Sequence, residues 1–175
     1  MVAKLAKLDE ILRKGGRQPL SLFYCGIGAI EFADGERVRQ LSSLARMLEG
    51  LNWRVAKITA AENASERDKI LRDFRAKEID AIASITVLDE GIDIPDCRKA
   101  YILASQRSER QGIQRRGRIL RMSPGKEKAE LYDFIITGPH VSNDALEALY
   151  SKELKRAKMF AQDAINRDEC LKEIS

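Results

Sequence analysis

Apolar residues recur in this chain at two spacings, and their alternation predicts its architecture. Over residues 2–13, Leu5, Leu8 and Leu12 share one helical face, and Gly15-Gly16 ends the segment. Pro19 then precedes an apolar run over 20–25, read as a buried strand. A loop with an Asp34-Gly35 turn signal follows, and Val38, Leu41, Leu44 (or Ala45) and Leu48 restore helical spacing over 37–49, with Gly50 as the stop. Residues 53–59 predict a second strand. Ser65, with Asp68 three residues on, predicts the cap of a helix whose apolar face is Ile70, Leu71 and Phe74. Residues 81–85 and 100–104 read as further strands, 107–121 as mostly helical and 129–136 as a fifth strand after the Pro124-Gly125 turn. A charged helical region over 142–173 closes the chain, with Leu146, Leu149, Leu154, Ala157, Phe160 and Ile165 along a drifting stripe.

Strands alternating with helices predict an α/β fold with a mainly parallel sheet flanked by helices and a C-terminal helical extension. The expected division is a domain over 1–140, opened by a connecting helix over 2–14, and an extension over 141–175. Parallel sheets bind ligands beyond the carboxyl ends of their strands. The loops after Cys25, Ile85 and Ala104 are therefore where chemistry is expected.

The total of 175 residues is enough for one domain and an appended element. With 44% apolar and 33% charged residues, the composition excludes a disordered chain, and no apolar run approaches the roughly 20 residues that span a membrane. The first ten residues lack the apolar stretch of a signal peptide, so a cytoplasmic location without membrane association is expected. Cys25, Cys97 and Cys170 are far apart and His140 is the single histidine, so no structural zinc site is expected and the thiols read as buried or idle. Trp53 reads as core rather than as a base-stacking platform.

Charge changes the picture more. Residues 107–128 hold eight basic and two acidic side chains, a net of six positive charges in a chain whose total is +4. Such concentration fits either a polyanionic partner or a solvated basic helix.

Two segments stand out, Thr86-Val-Leu-Asp-Glu-Gly-Ile-Asp-Ile-Pro95 and Gln114-Arg-Arg-Gly-Arg-Ile-Leu-Arg121. In this order, with one strand between them, they resemble motifs V and VI of superfamily 2 helicases. The likeness covers about residues 15–137. Ser21 to Cys25 resembles the motif IV strand, and the segment with Arg67 and Phe74 resembles the helix before motif V. Gln114, and Glu90 to Asp93, are most similar to the branch with XPB-like helicases and restriction-enzyme translocases. The resemblance implies a second RecA-like motor lobe that works with ATP and magnesium, partners a first RecA-like lobe of the same parent, and tracks DNA rather than RNA.

On a helix, Gln114 and Arg118 are four residues apart and Arg118 and Arg121 three, so all three point from one face. Two guanidiniums and an amide match a cluster of phosphate oxygens. Gly117 costs a helix about 1 kcal/mol against Ala and makes sense where a ligand or another backbone comes close. The resemblance makes Arg118 and Arg121 arginine fingers and sets Gln114 against the γ-phosphate or the attacking water. Arg115 and Arg116 project elsewhere, onto a solvated face or toward DNA. In the first segment Gly91 permits close approach, and the resemblance sets Asp93 near the ribose, with Thr86 and Glu90 toward nucleic acid. The motif V threonine aligns with Ile85, flanked by Ser84 and Thr86, so Ser84 is also a candidate for the nucleic-acid side. The loop over 26–35 reads either as a backbone-contacting element or as an insertion.

The chain has no G-x-x-x-x-G-K-[ST] loop and no Asp-Glu box. The phosphate cradle and the magnesium carboxylates are therefore expected on the first lobe, and this chain alone should not hydrolyse ATP efficiently. Two other readings compete. One is a non-catalytic nucleic-acid-binding regulatory module with the same fold, against which the intact Gln114, Arg118 and Arg121 argue. The other is an unrelated nucleotide-binding or signalling α/β domain, which would need its own phosphate loop.

Overall fold

The computed structural model describes residues 1–26, 28–31, 37–85, 94–104, 117, 119–135 and 144–174, with the side chains of Ala29, Glu31, Arg37, Val38, Asp144, Ala145 and Leu146 left aside. Its elements are α1 (Val2–Gly15), β1 (Ser21–Tyr24), β2 (Ala29–Glu31), β3 (Arg37–Arg39), α2 (Gln40–Gly50), β4 (Val55–Ile58), α3 (Ala64–Arg75), β5 (Ala81–Ser84), β6 (Lys99–Ile102), β7 (Glu130–Asp133), α4 (Asp144–Gln162) and α5 (Arg167–Ile174). Five strands form a parallel sheet in the order β4-β5-β1-β6-β7.

The central strands are apolar on both sides because both faces are covered. Phe23, Ala81, Ala83 and Tyr101 join Leu8 and Leu12 of α1 and Leu41, Leu44 and Leu48 of α2 in one core. Leu22, Tyr24, Ile82, Ala100 and Ile102 face the other way, with Phe74 of α3, Ile94, Ile119 and Phe160 of α4. The period-two alternation of a strand makes this division. An aromatic relay crosses the first face. Trp53 meets Phe23 edge-on at 5.7 Å, Phe23 stacks on Tyr101 at 4.6 Å, and Tyr101 stacks on Tyr132 at 4.8 Å. Trp53 is a core residue, 4% exposed.

Three details differ from expectation. The cap of α3 is Asn63, not Ser65: its side chain accepts from the Glu66 N–H at 3.0 Å, and the Glu66 carboxylate accepts from the Asn63 N–H at 2.8 Å. A cap must stand outside the helix with extended backbone; Asn63 does so at ψ 173°, whereas Ser65 is already helical. The segment expected as loop and helix start instead carries the antiparallel hairpin β2–β3, and α2 begins only at Gln40 and includes Gly50. Two three-residue strands carry too little periodicity to be read locally. Finally, the closing helix breaks into α4 and α5, and Ile165 between them is 95% exposed rather than part of a buried stripe.

Candidate functional site

Parallel pairing sets Ile58, Ser84, Tyr24, Ile102 and Asp133 in one row at the carboxyl ends of the strands. The chain leaves β1 toward the β4 side of the sheet and leaves β6 toward β7, so the connections diverge between β1 and β6. That divergence is where doubly wound sheets form a crevice. Gly26 and Ala104 stand there. A Cβ on Gly26 would lie in ordinary contact with the Ala104 Cβ at 3.5 Å and would meet Gln40 Oε1 at 2.6 Å, displacing the end of that side chain. The Gly26 N–H donates to Gln40 Oε1 at 3.0 Å, and the Gln40 N–H donates to the Gly28 carbonyl at 3.0 Å. The Gly26 amide is thus engaged inside the chain.

Of the residues singled out in the sequence, Thr86, Glu90, Gly91, Asp93, Gln114, Arg115 and Arg118 lie outside the described residues. Ser84, Gly117 and Arg121 lie within them. Ser84 is fully buried; its hydroxyl donates to the Ile58 carbonyl at 3.0 Å and its carbonyl accepts from the Cys25 N–H at 3.0 Å. It fastens the ends of three strands. Gly117 is helical and exposed, and among the described residues nothing lies within 4 Å of where its Cβ would be. Arg121 is exposed just beyond the helical turn, while Ile119 is buried against the sheet and anchors the segment.

The tails of the two segments meet. Ile94 and Ile119 share one core cluster, and a lysine that the sequence did not single out ties the tails together. Lys126, 6% exposed, donates from Nζ to the carbonyls of Pro95 at 2.9 Å, Arg121 at 2.9 Å and Ile119. Around it, Asp96 accepts from the Ser123 hydroxyl at 2.6 Å and from Arg75 Nε at 3.1 Å. Arg98 donates to the Gly125 carbonyl at 2.9 Å. Gly125 turns the chain at φ 73°, a left-handed conformation that glycine adopts without strain. The sequence shows Lys126 only as one lysine of a basic stretch; nothing local marks it as buried.

A second group of buried charges lies beside β7. Arg156 of α4 donates to the two Asp133 carboxylate oxygens from Nε, at 2.8 Å, and Nη2, and to the Ala104 carbonyl from Nη1 at 3.4 Å. Lys4 of α1 pairs with Glu153, three residues before Arg156 on α4. Burial pushes the Asp133 carboxyl above its usual range despite Arg156, and burial likewise holds the Lys4 ammonium below its usual value. Helices from both ends of the chain thereby reach the carboxyl edge of β6 and β7.

Among the described residues no three His, Cys, Asp or Glu side chains are grouped to hold a metal ion, and no helix is long and apolar enough to cross a membrane.

Comparison with known proteins bears on the same residues. The family described as "Helicase conserved C-terminal domain" matches residues 4–123. The DNA 3'-5' translocase XPB2 of Sulfurisphaera tokodaii is 40% identical over 135 residues, which are 77% of this chain and 26% of that protein. The UvrABC system protein B of Serratia proteamaculans is 32% identical over 135 residues, 74% of this chain and 19% of that protein. The chain thus spans about a quarter or less of these relatives. The C-terminal domain of the DEAD-box protein Dbp5 superposes with a TM-score of 0.66 at 17% identity, covering 94% of this chain and 82% of that domain, which shows the shared RecA-like fold. With the family match running from α1 through the Arg121 segment on this parallel sheet, the chain belongs to the helicase conserved C-terminal domain family, the second RecA-like domain of superfamily 2 helicases.

Proposed function

We propose that this chain is the second motor lobe of an ATP-dependent DNA helicase or translocase, completing an ATPase site across a cleft from a first RecA-like lobe. Arg118 and Arg121 act as arginine fingers on the γ-phosphoryl oxygens, and Gln114 orients the attacking water. Asp93 serves the nucleotide near its ribose, Gly91 permits close approach there, and Gly117 leaves room for the nucleotide or the other lobe. Thr86, Glu90 and Arg115 serve the nucleic-acid side; Ser84 serves it by fixing the strand end from which that segment departs. The magnesium carboxylates belong to the first lobe. Residues 141–175 are a helical extension to the lobe. The observation that carries this reading is the joined pair of segment tails, with exposed Arg121 beside them. The DNA translocase among the relatives supports DNA as the track.

The test is DNA-stimulated ATP hydrolysis by the parent protein with its first lobe, wild type against Arg118→Ala, with this chain alone as control. The expected result is strong stimulation in the wild type, a loss of roughly 10³-fold or more in the variant and silence from the lone chain. An unaffected Arg118→Ala removes the finger role from that residue. A parent that binds DNA but never hydrolyses ATP sinks the motor reading and leaves a regulatory binding module.

A further inference from the structure

We propose that Lys126 is a positioning residue that couples residues 94–97 to residues 119–121, the tails of the motif V-like and motif VI-like segments, so that neither tail moves without the other. This deepens the motor reading and rests on it. A buried ammonium is costly unless its N–H groups are satisfied. Lys126 meets that demand with the carbonyls of Pro95, Ile119 and Arg121. Ile119 ends a helical stretch, where carbonyls lack intrahelical partners and the helix dipole favours a cation. Pro95 ends the other segment, 31 residues before Lys126 in sequence. A Pro95 carbonyl facing a helix end without a cation would meet like partial charges; the ammonium makes that approach favourable. Flanking contacts hold the lysine's own turn, through Ser123 to Asp96 and Arg98 to Gly125. The Arg121 backbone is thereby fixed relative to the residues that follow Asp93. A displacement on the scale of 1 Å at a catalytic group costs up to about 10²-fold in rate.

Two measurements test it, on Lys126→Met, which keeps the length and removes the charge. In this chain, hydrogen exchange should accelerate by roughly tenfold or more at both 94–97 and 119–121 and stay unchanged in β1 and β5. In the parent protein, well below its unfolding temperature, kcat for DNA-stimulated ATP hydrolysis should fall roughly 10- to 100-fold, with KM for ATP within about twofold. A merely structural lysine would lower Tm and leave kcat per folded molecule intact. If Lys126→Met does not fold, Lys126→Gln, a shorter neutral donor, takes its place. Loosening of only one segment, loosening of the whole domain, or an unchanged kcat overturns the proposal. A wild-type parent without ATPase activity overturns the motor reading instead, and the exchange result then decides the coupling by itself.

Discussion

Lys4 in the first helix and Glu153 in the long C-terminal helix form a buried ion pair across 149 positions of sequence, with side chains 5% and 2% exposed. Removing one partner strands the other charge. Glu153→Ala should destabilise the fold by about 3–5 kcal/mol, whereas Lys4→Met combined with Glu153→Leu should be neutral or stabilising. Urea unfolding of the three proteins checks this. A double variant as unstable as Glu153→Ala would mean that the pair contributes more than mutual neutralisation.

Asp80 gives the fold an acid limit. Burial alone would raise its pKa, but hydrogen bonds from the Arg54 side chain and N–H and the charges of Arg17 and Arg54 outweigh it and hold the value below 3.8. An acid with a depressed folded pKa adds stability that is present above its unfolded pKa and lost as pH falls through the folded one. Unfolding midpoints from pH 7 to pH 2 should therefore show wild type losing its advantage over Asp80→Asn below about pH 4. Parallel curves for the two proteins would refute the assignment.

Lys77 follows α3 in the left-handed region at φ 59°, where its N–H donates to the Phe74 carbonyl at 3.0 Å. A side chain there costs about 1–2 kcal/mol, which glycine avoids while losing part of the gain to its freer unfolded chain. Lys77→Gly should raise stability by about 0.5–1 kcal/mol. Its carbonyl, which accepts from Arg54 at 2.7 Å, is retained. A calorimetric Tm at or below the wild-type value would show that the lysine side chain contributes something the backbone does not reveal.

The cysteines should separate cleanly by reactivity. Cys97 is fully buried and burial pushes its thiol up to about 12; Cys25 is 3% exposed, and Cys170 on α5 is half-buried. Thiolate, not thiol, is the nucleophile. A thiol-reactive disulfide reagent at pH 8 should label Cys170 in the native protein and the other two only in denaturant. Two fast-reacting thiols before unfolding would contradict the packing around the sheet.

The sequence by itself determined the five strands of the parallel sheet and the helices between the first of them, the two-sided burial of that sheet and the two segments that carry the family likeness, but not the hairpin β2–β3 or the break between α4 and α5. These are local properties: a period tells which side of an element is apolar, and a motif keeps its residues within a few turns. Leu8 and Leu12 point inward as their spacing requires, and Trp53 packs on Phe23. Helical spacing singled out Gly117 and Arg121 with Gln114 and Arg118 in the sequence, but Gln114 and Arg118 lie outside the described residues and Arg121 stands just beyond the helical turn, so their site roles are a proposal. The tertiary structure alone decided what each buried face meets. The strand order brings Gly26 to Ala104, and it buries the Ser84 hydroxyl against Ile58. It turned Lys126 from one lysine among many into the link between Pro95 and Arg121, and left Ile165 in solvent although the helical stripe included it. Charge and period along a chain do not encode partners 31 or 149 residues away, because those contacts exist only once the sheet has fixed which loops are neighbours.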